Sequence, residues 1–270
     1  MQRTQRLRIA AMLILGHAYL PAIAQTSAAC ASSSPLQRVP LVELYTSEGC
    51  SSCPPAEAWL AEVAPRYRGK IVALAWHVDY WDQLGWRDPY ANKRFTARQR
   101  ELAQQNRSRS IYTPGLFING IEFGPDASPE SFHGLIQRWQ TRNSDYQLHL
   151  SWQTPHQATI KIQPVTTGQI TPSNPPLVHL VLFQSDLQQT ISQGENRGRT
   201  LTHHYVVRHW FEPQRLEQAT LTRTIQLNDA LLSPLAATTS PYGLAAFLQD
   251  PVSGQILQSW SQTVCSRKGT

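Results

Sequence analysis

The stretch from Leu41 to Glu57 reads LVELYTSEGCSSCPPAE. Leu41, Val42, Leu44 and Tyr45 are apolar and β-favouring, which predicts a strand. Thr46 to Gly49 break that pattern. Cys50-Ser51-Ser52-Cys53 follows, with Pro54 and Pro55 directly behind it. Proline suits the first turn of a helix, where its missing N–H would have had no partner. Ala56 to Val63 continues with good helix formers, and Pro65 predicts the stop. The C-x-x-C therefore sits on a strand-to-helix turn, near free backbone N–H groups and the positive end of the helix dipole. A dipole contributes up to ~2 kcal/mol and one pKa unit is ~1.4 kcal/mol, so it alone lowers a free thiol from ~8.5 to about 7. Glu48 opposes that ionisation. Cys50 is expected nearest solvent as the attacking thiol, with Cys53 resolving the mixed disulfide.

Working outward, Ile71 to Val78 (IVALAWHV) is continuously apolar, as in a strand buried on both faces. Strand, helix and strand in this order imply a right-handed crossover. Asp79 to Pro89 is a loop at the strand's C-terminal edge, where α/β folds place their sites. Tyr90 to Asn106 is polar and helix-compatible. Leu116 to Asn119 and Ile121 to Phe123 flank an Asn-Gly turn and predict a hairpin. Ser128 and Pro129 open a helix that runs to about Arg142. From Tyr146 onward strands dominate: 147–153, 158–163, 178–184, 203–210, 219–227, 244–249 and 255–263. Short strands separated by turn residues predict an antiparallel β-sandwich.

Three strings occur in order: VELYTSEGCSSCPPAE, AWHVDYWDQLGWRDPY and YTPGLFING. Together they resemble the DUF1223 family of secreted bacterial proteins, from about Leu41 to the C-terminus. The resemblance implies a thioredoxin-like fold and leaves the substrate open. The expected architecture is α/β: a thioredoxin-like domain over 41–145, with a mixed sheet flanked by helices, then an all-β sandwich-like domain over 146–264. The resemblance also makes Thr113-Pro114 the cis-proline beside the C-x-x-C, where the backbone of Thr113 pairs with an extended peptide. It puts Glu43 at the place of a buried acid that relays a proton to Cys53.

His77, Asp79, Tyr80, Trp81 and Trp86 are candidates to line the groove beside the thiols. The leading expectation is an exported thiol–disulfide oxidoreductase that needs no cofactor and acts on a thiol- or disulfide-containing partner. One C-x-x-C is half a zinc site. The alternatives are a Cu(I) or Zn(II) site on Cys50, Cys53 and His77, a protein-interaction module, or a purely structural disulfide. Gly194 to Val207 (GENRGRTLTHHYVV) reads as a structured turn packed against the first domain. His203 and His204 are adjacent on a strand, face opposite sides and do not easily share a metal.

Arg3, Arg6 and Arg8 precede an apolar run from Ile9 to Ala24, and Ala22-Ile23-Ala24 is a small-x-small signal. Residues 1–24 thus read as a secretory signal peptide, giving a periplasmic or secreted protein with no membrane span. Residues 25–40 read as a flexible lead-in and 265–270 as a tail. Without the three arginines the chain holds 21 basic and 18 acidic groups, a net charge of +3 with no basic run, so nucleic acid is not an expected partner. Four cysteines in an exported chain predict two disulfides. The simplest second pairing is Cys30 with Cys265, stapling the ends. A lipid anchor on Cys30 is the alternative.

Overall fold

The computed structural model describes residues 30–124, 128–166 and 174–265; the expected signal peptide and the last five residues of the expected tail lie outside them. Strand β1 (Cys30–Ser33) leads to β2 (Leu41–Thr46), every residue of which is buried. Helix α1 (Cys53–Arg66) opens with both prolines in its first turn. It runs through Pro65 rather than stopping before it, and the N–H groups of Tyr67 and Arg68 close it onto the carbonyls of Ala64 and Pro65. Strand β3 (Val72–His77) then lies parallel to β2, with Leu41 opposite Val72 and Thr46 opposite His77.

Helix α2 (Lys93–Gln105) is capped by the Asn92 side chain, which accepts from the N–H of Arg94. Strands β4 (Gly115–Ile118) and β5 (Ile121–Glu122) form the hairpin expected of Asn-Gly. Asn119 and Gly120 both take positive φ, 53° and 80°, as a two-residue turn with matching twist demands. Helix α3 (Pro129–Gln140) begins at Ser128, whose hydroxyl accepts from the N–H of Ser131.

The remainder contains β6 (Tyr146–Thr154), β7 (Gln157–Pro164), β8 (Leu177–Gln184), β9 (Leu187–Thr190), β10 (Thr200–His203), β11 (Val206–Trp210), β12 (Gln214–Arg215) and β13 (Leu221–Gln226). Helix α4 (Asp229–Ala236), β14 (Tyr242–Gln249) and β15 (Ile256–Thr263) complete it. A large sheet runs β15-β14-β8-β11-β3-β2-β4-β5, with β12 also beside β8. A four-stranded sheet runs β1-β6-β7-β13, and β9 and β10 form a separate hairpin.

A boundary at 145 does not separate two sheets. Strand β11 joins β3 in parallel through Val206 and Ala75, and the N–H of Ala75 donates to the carbonyl of Tyr205 at 2.8 Å. Buried backbone groups on the outer edge of β3 require partners, and the C-terminal half supplies them. The lead-in is likewise not wholly flexible, since Cys30–Ser33 pairs antiparallel with β6.

Strand parity divides the core. In β8, Leu180 and Leu182 face the four-stranded sheet and meet Leu148 and Ile160, while Val181 and Phe183 face the opposite side. In β2, Leu41 and Tyr45 share that opposite side with Phe95 and Leu102 of α2. Val42 and Leu44 pack under Leu60 and Ala64 of α1. Each large side chain so buried contributes roughly 1.5–3 kcal/mol. The same parity puts Glu43 on the α2 face, and Thr46 and His77 on the α1 face.

Candidate active site

Cys50 and Cys53 are joined as a disulfide with Cα atoms 5.5 Å apart, at the first turn of α1. Neither is nearest solvent: both are 0 % exposed, and Ser51 and Ser52 form the exposed tip. The expectation for Cys50 fails because a distant segment covers it. The loop between β9 and β10 lays Asn196 over the turn, where its Nδ2 donates to the carbonyls of Glu48 (2.8 Å) and Cys50 (3.0 Å). The N–H of Ser51 donates to Glu195 at 3.0 Å, and Arg199 donates to Oδ1 of Asn196 at 2.7 Å. Gly194, at φ 73°, lies so close to Trp86 that an added Cβ would stand 3.0 Å from the Trp86 Cβ. The GENRGR turn thus packs against the first half of the chain as expected, and it does so over the cysteines.

The Thr113–Pro114 peptide is cis. Trp81 links it to the cysteine turn: its Cβ lies 3.1 Å from where a side chain on Gly49 would begin, and its Nε1 donates to the Thr113 hydroxyl at 2.7 Å. Pro114, Leu116, Phe123 and Phe132 line a cavity of about 340 Å³ together with Ala56 and Trp59 of α1. The other groove candidates are held by partners of their own. Asp79 accepts from Thr96 and Tyr80 donates to Gln99, which holds both against α2. Trp86 donates to Glu48 at 2.7 Å. His77 is fully buried.

Glu43 is buried but does not face Cys53. It lies on the α2 face, where Arg98 grips it through Nε at 2.7 Å and Nη2 at 3.0 Å. The loop from this strand to the first cysteine does not change strand parity, and parity sends Glu43 away from α1. Burial works to lower the Arg98 pKa, but the carboxylate of Glu43 outweighs it and holds the guanidinium firmly charged.

Four buried groups, Glu48, Glu57, Asp88 and His203, lie under the cysteine turn around His77, and Glu57 and Asp88 had no role in the sequence reading. Glu57 follows Cys53 by four residues, so both face the same side of α1. It accepts from Thr46 and pairs with Nδ1 of His203. Nε2 of His203 contacts Glu48 at 3.0 Å. Asp88 contacts Nδ1 of His77 at 2.7 Å and accepts from the N–H of Glu48 at 2.9 Å. The two imidazoles stand 5.1 Å apart, edge to face. Burial acts to lower the His203 pKa, but its contacts with Glu48 and Glu57 push it up to about 10. Burial acts to raise Glu57, but His203 holds it below the usual carboxylate range. Asp88 is held low in the same way, against burial, chiefly by His77. The charge of Glu48, expected to oppose a thiolate, is met by His203.

The i, i+4 spacing from Cys53 to Glu57 was a signal available in the sequence. The partner of Glu57, 146 residues away, was not. His204 faces away from His203 and contacts Asp186 at 2.9 Å. With the two sulfurs bonded to each other, the donor set Cys50, Cys53 and His77 is not assembled. Cys30 and Cys265 are paired as expected, with Cα atoms 5.8 Å apart. Among the described residues no helix is long and apolar enough to cross a membrane.

These features define an α/β protein with a mixed sheet and a covered C-x-x-C disulfide at a helix start. The chain belongs to the DUF1223 family, described as proteins of unknown function, which it matches over residues 41–247. A crystal structure of an Agrobacterium tumefaciens protein is similar at 22 % identity, covering 87 % of this chain and 99 % of that one, with a TM-score of 0.55. HBP35 of Porphyromonas gingivalis is similar at 13 % identity, covering 85 % and 76 %, with a TM-score of 0.61. At these identities the likeness concerns fold. No curated protein matches.

Proposed function

We propose that this protein is an exported thiol–disulfide oxidoreductase, built as a thioredoxin-like core with a β-sandwich joined to its sheet. The observation that carries the reading is the juxtaposition of the Cys50–Cys53 disulfide, at the start of α1, with the cis Thr113–Pro114 peptide through Trp81. The strand order β3-β2-β4-β5, with β2 and β3 parallel and the β4–β5 hairpin antiparallel, supports the core assignment. The apolar cavity beside Pro114 supports a peptide substrate. The Cys30–Cys265 disulfide suits an oxidising compartment, periplasmic or extracellular.

From the oxidised state, a substrate thiolate attacks the sulfur of Cys50. The Cys50–Cys53 bond breaks, a mixed disulfide forms and Cys53 leaves as a thiolate. A second substrate thiolate attacks the substrate sulfur in the mixed disulfide. Cys50 leaves as a thiolate, and the substrate departs as a disulfide. The two cysteines end reduced, having taken two electrons, and a disulfide-class partner reoxidises them. Reductase turnover is the same path reversed, with a thiol-class partner. The helix start favours the Cys50 thiolate as leaving group and as nucleophile.

The test is turnover of a peptide disulfide or dithiol by Cys50→Ser and Cys53→Ser. Cys50→Ser is expected to lose turnover, and Cys53→Ser to accumulate a mixed disulfide on Cys50. Unchanged turnover in Cys50→Ser would overturn the reading.

A further inference from the structure

We propose that Glu57, His77 and His203 form a site for one divalent first-row transition-metal cation of the Zn(II) class, in the interior behind the cysteine turn. One ligand atom from each residue lies within 4.8 Å of those of the other two. All three side chains are buried, and they come from α1, β3 and β10. Two nitrogens and one carboxylate oxygen make a donor set known to hold zinc with an open fourth position. Ligand atoms about 2.0–2.1 Å from such an ion stand ~3.3 Å from one another, so closure asks these atoms to draw together by at most about 1.5 Å.

A second observation points to a ligand. Nε2 of His77 is buried and has no hydrogen-bond partner. Its Nδ1 is held by Asp88 at 2.7 Å, which leaves Nε2 as the ring atom open to a ligand shared with Glu57 and His203. A histidine oriented by a carboxylate on one nitrogen and presenting the other to the interior is the pattern of metal-binding imidazoles. His203 is likewise oriented by a carboxylate, Glu48 at 3.0 Å from Nε2, but its Nδ1 already pairs with Glu57, so that contact opens when an ion enters.

The third argument is charge. Glu48, Glu57 and Asp88 are buried together, and their only cationic contacts among the described residues are the two imidazoles. No lysine or arginine hydrogen-bonds to any of them. Buried carboxylates in excess of their cations are strongly disfavoured unless an ion joins them. A divalent cation between Glu57 and the imidazoles displaces the proton that His203 Nδ1 shares with Glu57, sets two positive charges among the three carboxylates in place of that one, and gives His77 Nε2 its partner. The site differs from one on Cys50, Cys53 and His77 because it uses no sulfur and is complete while the disulfide is intact.

The experiment uses the oxidised protein, stripped with chelator, unfolded with both disulfides intact and refolded with or without ZnCl2 to remove any barrier to entry. Bound zinc is counted after desalting, affinity is measured by competition with a chromogenic chelator, and the Co(II) visible spectrum reports geometry. One zinc per chain is expected, together with a tetrahedral Co(II) spectrum lacking a thiolate charge-transfer band. Asp88→Asn is expected to weaken binding 10–100-fold, and His77→Ala to abolish it. His203→Ala removes the partner of two buried carboxylates, and failure to fold would make it uninformative. His77→Ala and Asp88→Asn, checked by near-ultraviolet dichroism, carry the decision. The proposal is overturned if the oxidised protein binds no stoichiometric zinc, if binding appears only after the cysteines are reduced, or if it survives His77→Ala. None of these outcomes alters the test of Cys50 in disulfide exchange.

Discussion

On the α2 face of the large sheet, Glu43 meets Arg98 through two hydrogen bonds. Gln249 takes a third from the same guanidinium, which lies over Trp76, Trp210 and Phe247. On the α1 face, Glu48, Glu57 and Asp88 share two imidazoles, one with an unpartnered nitrogen. The first cluster is matched in charge and nearly complete in hydrogen bonds, as a structural ion pair must be to persist in an interior. The second holds more acid than base and lies under the cysteine turn. Groups that can gain or lose a proton or an ion collect there, four residues along the helix from Cys53. The difference separates a buried acid with a full set of partners from buried acids that share too few cations.

The largest effect expected from this contrast is on the matched side. Arg98→Met leaves Glu43 buried without a cation, which costs about 3–5 kcal/mol. Glu43→Leu combined with Arg98→Met is expected to recover most of that loss, because the interior then holds neither charge. Urea unfolding of the two singles and the double gives the coupling. If Arg98→Met costs less than about 1 kcal/mol, the pair is not the structural element described.

The contrast also shows what the sequence revealed. The strand-turn-helix-strand unit from Leu41 to His77 was legible because its signals are local: apolar runs, two prolines and an Asn-Gly turn further on. The face on which Glu43 lies was equally local, since Val42 and Leu44 belong under α1, but the resemblance to a buried acid placed it beneath Cys53 instead. The joining of β11 to β3 was not legible, because Val206 and Ala75 are far apart in sequence and any buried strand offers such an edge. The cover over Cys50 was hidden for the same reason. GENRGR announces a tight turn but not the surface on which that turn rests. Cys30–Ser33 carries no strand pattern at all, and β6 and the Cys265 disulfide organise it from outside.

A histidine on each face sharpens the comparison through pH. His179 is stacked between Phe247 and Trp210 on the Arg98 side, and both its nitrogens lack partners. Burial, aided by the charge of Arg98, pushes its pKa well below the usual imidazole value. The unfolded chain therefore takes up a proton there before the folded chain does. Stability is present above about pH 6.5 and is lost as pH falls from there toward the folded value, at up to about 1.4 kcal/mol per pH unit. His203 has the opposite sign. Its folded pKa of about 10 gives stability that is full below about pH 6.5 and is lost as pH rises through about 10. Chelator-treated protein should thus be most stable near neutrality. His179→Phe should flatten only the acid side of that curve, measured as unfolding midpoint against pH. A variant that flattened the alkaline side would contradict the assignment.

The smallest expected effect concerns the cover. Asn196 closes over the cysteines with two hydrogen bonds to the carbonyls of Glu48 and Cys50. At roughly 0.5–1.5 kcal/mol for each hydrogen bond, these hold the loop down by ~1–3 kcal/mol. Cys50 is fully buried, so an external thiol reaches it only when the loop lifts. If lifting precedes attack, Asn196→Ala raises the open population and speeds reduction of the Cys50–Cys53 bond by about tenfold, the equivalent of ~1.4 kcal/mol. Asn196→Asp should act in the same direction, because it sets a carboxylate against two carbonyls in place of donors. Quenched reduction by dithiothreitol, followed by alkylation and peptide mapping, reads both disulfides in one experiment. The Cys30–Cys265 bond lies away from this loop and serves as the internal control. An equal acceleration of both bonds would mean that the substitution loosens the whole fold. No acceleration of either would mean that Asn196 does not guard Cys50.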